Sequence, residues 1–468
     1  MNNDAAGTYP RRGLTDADGL LDDLRAAVGE THVLTDPQVT ESFSRDWTGR
    51  WAGRPAAVAR PHSTDEVAAV VRSCAAHGVP LVPQGGNTGL VGAGVPGDGE
   101  VVLSMRRVRS LIPVNVQARC VEVGAGITLA EAQKHARAAG FDIGIDFGAR
   151  DSATIGGIVA TNAGGERVMR YGTTRGQVLG LEAVLADGSV ISRLSGLPKD
   201  NVGYDLVQLL VGSEGTLAVI TRVVLRLVPY VRERAAALVA LESMPAALEA
   251  LASLRNRLPG LEAADYFHDE GLRMVLGHRQ LTSPFDVAYP VYLLVETAGS
   301  GALDDLVSAL ADIDEVQDAA LAGPFSERLR LWALREGHTE AINAAGVPVK
   351  LDVAVPLTRI DEFESTLRDV VHDVAANAEI VLFGHLVEGN IHVNVLGVGD
   401  PDVQEAVTDA VLRHVISYGG SISAEHGIGR AKRRWVALAR GSADVAAMKA
   451  VKQALDPVGT LSPGRMLP

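Results

Sequence analysis

Between residues 35 and 230, short β-branched apolar runs are broken by glycine-rich turns, as in "EVVLSM", "CVEVGAGITL", "LGLEAVLADGSVISR" and "LAVITRVVLRLVP". This spacing predicts strands. Within the stretch, "STDEVAAVVRSCAAHG" keeps its apolar residues at helical spacing, opens on Ser63 or Thr64 as a cap and stops at Gly78, so it predicts a helix that feeds the strand "PLVP". After Tyr230 glycine thins out. "MPAALEALASLRNRL" and "TRIDEFESTLRDVVHDVAANA" then read as amphipathic helices between the strands "PVYLLVETA", "PVKLDVAVP" and "EIVLFGHL". The shift in pattern marks a domain boundary, and the expected division is a helical segment (1–34), an α+β domain (35–230), a second domain (231–420) and a C-terminal segment (421–468). That segment holds a last helix, "ADVAAMKAVKQALD", and a Pro/Gly tail too irregular to be helical.

Composition narrows the function. A chain of 468 residues with 47% hydrophobic residues and 50 glycines can bury a pocket within two or three domains. A net charge of −14 with no basic tract argues against nucleic-acid binding. The N-terminus lacks the basic start, apolar run and cleavage site of a secretory signal. The most apolar stretch, "LAVITRVVLRLVPYV", is interrupted by Arg222 and Arg226 before it could span a bilayer. A cytoplasmic protein is expected, with peripheral contact to the inner face of the membrane left open. With only Cys74 and Cys120 there is neither a disulfide framework nor a thiolate cluster, so a metal would need His, Asp or Glu.

Three glycine-dense loops fall in the first domain. "GAGVPG" fits the dinucleotide spacing, but "DGEVVLSM" leads from it into a strand instead of a helix. "VPQGGNTGLVG" is the better phosphate cradle, because the backbone N–H groups of Gly85, Gly86, Asn87, Thr88 and Gly89 can form an anion nest. By itself it equally fits an ordinary surface turn. "DSATIGGIVATNAGGERVMRYG" and "VGSEGTLAVIT" add paired glycines that merely turning the chain does not require. Together they predict a long, flat cofactor, with Gly86 leaving room for its phosphate.

In the second domain "FGHLVEGNIHVNV" places His385 and His392 seven apart. On one continuous strand they would face opposite ways, so they converge only if Glu388-Gly389-Asn390 forms a turn. His392 and Asn394 then share a side. "GGSISAEHGIGR" offers Glu425 and His426 in a glycine-flanked loop. Two imidazoles and a carboxylate suit Zn²⁺ or another divalent ion, whereas a single histidine strand would equally fit satisfied hydrogen-bonding groups. Arg335 and Thr339 are spaced one helical turn apart, before the strand that Lys350 begins. Alone, such an arginine reads as part of a solvated face.

In this order the three loops resemble the FAD-binding domain of the vanillyl-alcohol oxidase/PCMH flavoprotein superfamily, and with the C-terminal half they resemble its D-2-hydroxyacid dehydrogenase branch. The resemblance runs from about residue 35 to the C-terminus. It implies an α+β protein in which a PCMH-type FAD-binding domain is followed by an FAD-linked oxidase C-terminal domain of antiparallel sheet and helices, with the last segment returning to the first domain. It implies non-covalent FAD, since the first loop offers no His or Cys for attachment. Pro83, Gly85, Gly86, Asn87, Thr88, Gly89 and Leu90 would form the pyrophosphate loop. Ser152, Thr154, Gly156, Gly157, Asn162, Gly164 and Gly165 would line the cofactor, and Gly215, Val219 and Ile220 would pass beside it. Gln84 stands where many relatives carry a basic residue, which would weaken the pyrophosphate contact.

The matching positions further imply a Zn²⁺-type ion on His385, His392 and Glu425, with Asn394 and His426 as catalytic and substrate-binding residues and Arg335, Thr339 and Lys350 as further substrate ligands. "HLVEGN" departs from the "HxGDGN" of relatives, which is expected to alter the turn at Glu388 and puts metal affinity in question. The implied activity is oxidation of a D-2-hydroxy acid, first D-2-hydroxyglutarate, with hydride transfer to FAD. D-lactate dehydrogenase and the glycolate oxidase flavoprotein subunit are the alternatives within the class; outside it stand a non-catalytic electron-transfer subunit and non-redox alkyl transfer of the alkylglycerone-phosphate synthase kind, which keeps this fold with a different C-terminal histidine pattern. Expected partners are the acid, an electron acceptor (electron-transfer flavoprotein, quinone or cytochrome) and a second copy of the chain.

Overall fold

The computed structural model describes residues 17–468, which form two compact units. One contains the described residues up to Gly164 together with Thr173–Tyr230 and His426–Pro468. The other contains Gly165–Gly172 and Val231–Glu425.

In the first unit, β1 (Val33–Leu34), β2 (Ala57–Ala59), β3 (Leu81–Gln84) and β4 (Val101–Ser104) form a sheet in the order β1-β2-β4-β3. The helix Thr64–His77 is capped by the Ser63 side chain and closed by Gly78 in the left-handed region, as the cap residues predict. It buries Val67, Val70, Val71 and Cys74 against this sheet in a core that also takes Leu20, Leu24 and Val28 of the helix Ala17–Val28. A second sheet has β5 (Cys120–Gly124), β6 (Phe141–Ile143), β7 (Val178–Val184), β8 (Val190–Arg193) and the long β9 (Val219–Pro229) in the order β5-β9-β7-β8, with β6 also on β9. The C-terminal tail is irregular but firmly bonded. Leu81 N–H donates to Thr460 O at 2.8 Å and Ser462 N–H to Leu81 O at 2.9 Å. The buried Arg465 ties the carbonyls of Ala93 and Val95 and the carboxylate of Glu100 into the loop after β3.

The second unit is built on an antiparallel seven-stranded sheet. Its strands are β10 (Arg234–Leu241), β11 (Leu261–His268), β12 (Val291–Ala298), β13 (Asp318–Ala322), β14 (Val349–Ala354), β15 (Glu379–His385) and β16 (Asn390–Leu396). Their order is β13-β10-β12-β11-β15-β16-β14. Phe267, Val381, Phe383 and Leu396 share one face and pack with Trp332 and Leu334 of the helix Phe325–Glu336 and Ile342 of the helix His338–Ala345. Tyr266 points to the opposite face, where its hydroxyl donates to Glu364 of the helix Ile360–His372 at 2.6 Å.

Candidate active site

The glycine loops of the first unit meet one another. A Cβ on Gly85 would lie 2.2 Å from Thr154 Oγ1, one on Gly86 2.0 Å from Ser152 O, and one on Gly156 2.6 Å from the Ala125 side chain. Glycine at these positions lets two loops touch. The expectation that Gly86 keeps room for a phosphate is therefore corrected, because the space beyond its Cα is filled by the Ser152 carbonyl. Arg106 donates to Gly85 O at 3.2 Å and Gly86 O at 2.9 Å. In a trans peptide the N–H lies opposite the C=O, so the N–H groups of Gly86 and Asn87 point away from Arg106. Among the described residues no hydrogen-bond partner meets the N–H groups of Gly86, Asn87, Thr88 or Gly89. Asn87 takes the left-handed conformation (φ 58°), which gives the chain the alternation a nest needs, and its side chain is fixed on Arg45 O at 2.7 Å. This loop fits an anionic group of a cofactor. Gln84 is not aimed at that group. It is buried, and its amide donates to the carbonyls of Phe43 and Gly94 at 2.9 and 2.8 Å.

The third loop closes on the other two. Gly212 and Glu214 donate to the carbonyls of Val159 and Ala160, and Gly215 (φ 69°) lies against Pro83. Val219 and Ile220 begin β9 with side chains buried in the two cores of this unit, so a ligand could meet only their backbone. Asn162 is left-handed, its side chain accepting from Arg175 N–H at 2.9 Å. His426 opens a loop whose Ile428 and Gly429 N–H groups both donate to the buried Glu214 carboxylate at 2.7 Å.

In the second unit the pairing β11–β15–β16–β14 puts a polar group on one sheet face. Asp265 is opposite His385, Phe383 opposite His392, His392 opposite Asp352, and Lys350 opposite Asn394. Opposite residues, and residues two apart on a strand, share a face. Asp265, Phe383, His385, His392, Asn394, Asp352 and Lys350 therefore all project to the side that elsewhere carries the apolar core. The 3-10 turn Leu386–Glu388 and Gly389 (φ 62°) reverse the chain between the two histidines, which is how an offset of seven brings both rings to one side. The turn keeps the glycine, since a Cβ there would meet Val355 O at 2.1 Å. Glu388 lies in the turn, half-buried, and burial raises its carboxyl to about 7 although His385 opposes the shift.

Glu425 arrives by a separate route. Ser421 and Ala354 exchange backbone hydrogen bonds beyond β14, and Glu425 N–H donates to Asp352 Oδ2 at 2.9 Å. Single ligand atoms of His385, His392 and Glu425 lie within 4.8 Å of one another. His385 Nδ1 is 2.7 Å from Asp265 Oδ1, and its Nε2 is 3.4 Å from Glu425 Oε1. Two ligands bonded tetrahedrally to one Zn²⁺ at about 2.1 Å would be separated by about 3.4 Å, so the donor set fits a divalent ion. Burial favours a neutral His385 ring, yet the carboxylates of Asp265 and Glu425 outweigh it and raise this histidine to about 10.

Arg335 is buried, with Nε 2.8 Å from Asp265 Oδ2 and its guanidinium 4.6 Å over the Phe383 ring. Thr339 does not share a helix with it. Arg335 ends the helix Phe325–Glu336, Gly337 interrupts, and Thr339 lies exposed on the next helix. Asn394 Nδ2 donates to the carbonyls of Val381 and His392, so this amide can offer a ligand only its oxygen. Asp265 and Asp352 escaped the sequence reading. The signal was present in "LEAADYFH" and "VKLDVA", where an aspartate sits in an apolar strand and must find a partner once buried.

Residues 231–466 match the family of FAD linked oxidases, C-terminal domain, and residues 55–193 match the FAD binding domain family. The D-2-hydroxyglutarate dehydrogenase of Xanthomonas citri pv. viticola is 37% identical over 458 residues, covering 95% of this chain and 96% of the relative. That of Stutzerimonas stutzeri is 34% identical, covering 96% and 98%, and the mitochondrial enzyme of Danio rerio is 36% identical, covering 93% and 83%. Among solved structures, 4-ethylphenol oxidase from Gulosibacter chungangensis superposes with a TM-score of 0.75 at 18% identity over 98% of this chain and 99% of its own. p-Cresol methylhydroxylase gives 0.73 at 16% over 96% of each chain. These two share the fold. Among the described residues no helix is long and apolar enough to cross a membrane.

Proposed function

The chain belongs to the D-2-hydroxyglutarate dehydrogenase family of FAD-linked oxidases, and from that membership we propose that it oxidises D-2-hydroxyglutarate to the 2-oxo acid with the help of a divalent ion. The convergence of His385, His392 and Glu425 carries this reading. FAD, when bound, supplies the two-electron acceptor, and the loop Gly85–Gly89 would hold its phosphates. An ion on the two histidines and Glu425, with Zn²⁺ the ion whose geometry they suit, would supply Lewis-acid polarisation of the substrate hydroxyl.

The remaining steps belong to side chains of this chain. His426 accepts the hydroxyl proton, and Asn394 accepts a hydrogen bond through its oxygen. Arg335, which already pairs with Asp265, and Lys350 hold carboxylates. A dicarboxylate needs a second cation, and Lys350, opposite Asn394 on the same sheet face, supplies it. The reduced cofactor passes its electrons to an external acceptor, such as an electron-transfer flavoprotein, a quinone or a cytochrome, and the working form is a homodimer. Comparing kcat/KM for D-2-hydroxyglutarate, D-malate and D-lactate in the wild type and in Lys350→Met tests the substrate assignment. Loss of a charged hydrogen bond should cost the dicarboxylates ~1.5–3 kcal/mol, about 10–150-fold, and leave D-lactate nearly unchanged. D-lactate as the best wild-type substrate, or equal losses for all three, would overturn it.

A further inference from the structure

Asp265 is buried at the centre of β11: its Oδ1 is hydrogen-bonded to His385 Nδ1 at 2.7 Å, and its Oδ2 makes an ion pair with Arg335 Nε at 2.8 Å that lacks hydrogen-bond alignment. A carboxylate in an apolar sheet is costly unless paired and hydrogen-bonded, and here its two partners serve two different tasks. A histidine has two nitrogens, and whichever is hydrogen-bonded determines which one is left as a ligand. With Nδ1 donating to Asp265, His385 presents Nε2 towards Glu425 Oε1. A guanidinium is planar, and this one lies between two groups, with the Asp265 carboxylate charge beside its Nε and the Phe383 ring under its face.

We propose that Asp265 is a positioning residue shared by the two halves of the site, orienting His385 towards the metal and Arg335 towards the substrate carboxylate. This rests on the function proposed above. A carboxylate that merely balanced buried charge would affect folding. One that aims both partners must also affect metal affinity and substrate affinity in the folded protein, and through one substitution. Asparagine at 265 keeps the volume, but if its oxygen accepts from His385 its amide group faces Arg335 Nε, donor against donor.

The test uses the FAD-loaded full chain, stripped of metal by a chelator and titrated with Zn²⁺ against a chromophoric competitor. Asp265→Asn should lower Zn²⁺ affinity about 10–100-fold, the usual cost of losing a residue that orients a metal ligand. At saturating Zn²⁺ it should raise KM for D-2-hydroxyglutarate more than it lowers kcat. Arg335→Met should raise KM while keeping wild-type Zn²⁺ affinity. Asp265→Ser, which leaves room for a water, serves the same comparison if the asparagine variant does not fold. Zn²⁺ affinity and KM indistinguishable from wild type would overturn the inference, as would an equal loss of Zn²⁺ affinity in Arg335→Met. A wild-type protein that takes up no Zn²⁺ would instead overturn the metal reading beneath it.

Discussion

Replacing Gly86 by alanine adds one methyl group and tests whether the cofactor loop is clamped by its neighbour. The new Cβ would sit 2.0 Å from Ser152 O, 2.8 Å from Ser152 C and 3.1 Å from Ala153 Cα. All three are backbone atoms, so no flexible side chain can yield. A normal contact requires one loop to retreat by more than an ångström, and an overpacked site of this kind costs ~1–3 kcal/mol. Gly86 has no positive φ, so the cost is steric and not conformational. Without cofactor the loop can relax outward, but FAD needs the nest in place, and the strain should appear in binding as a Kd raised about 5–150-fold. Gly94→Ala is the control, since its Cβ would meet only side-chain atoms at 3.7 Å or more. The assay is titration of the apoprotein with FAD, followed by quenching of flavin fluorescence. Equal FAD affinity in Gly86→Ala and Gly94→Ala would show that contact between the loops does not set the nest.

Two further outcomes are expected. His392→Ala should lose bound Zn²⁺ and activity together, whereas His426→Ala should keep the metal and lose rate; elemental analysis beside single-turnover kinetics separates them, and loss of metal from His426→Ala would contradict its assignment as a base. His268 pairs with Glu364 at 2.9 Å and, although burial opposes it, the carboxylate raises its pKa. The stabilisation is therefore complete below about pH 6.5, the unfolded value, and is lost as pH rises through the higher folded value. His268→Gln should cost ~1.5–3 kcal/mol at mildly acidic pH and less at alkaline pH, read from urea unfolding; a cost that grows with pH would refute the assignment.

Much of this site could be read from the chain because its chemistry is carried by local signals. The helix Thr64–His77 was marked by its caps, and the odd offset between His385 and His392 demanded a turn that the structure supplies at Leu386–Gly389. Two things stayed out of reach for a physical reason. Loop-to-loop packing joins residues far apart in sequence, so Gly86 reads as a ligand-facing glycine until Ser152 is seen against it. Sheet register is equally non-local. Nothing near Asp265 or Asp352 in the chain names His385 or Glu425 as partner, and only strand order places them there. Gly337 misled in the other direction, since helical spacing joined Arg335 to Thr339 across a break in the helix.

To act as a D-2-hydroxyglutarate dehydrogenase, this chain must take a hydride equivalent from that acid. Mixing the oxidised flavoprotein with that acid in the absence of oxygen, and following the flavin absorbance, tests it without any assumption about the natural acceptor. The flavin should bleach, one 2-oxoglutarate should appear per flavin reduced, and the L-enantiomer should do neither. A flavin that stays oxidised with D-2-hydroxyglutarate yet bleaches with D-lactate or glycolate would contradict that activity.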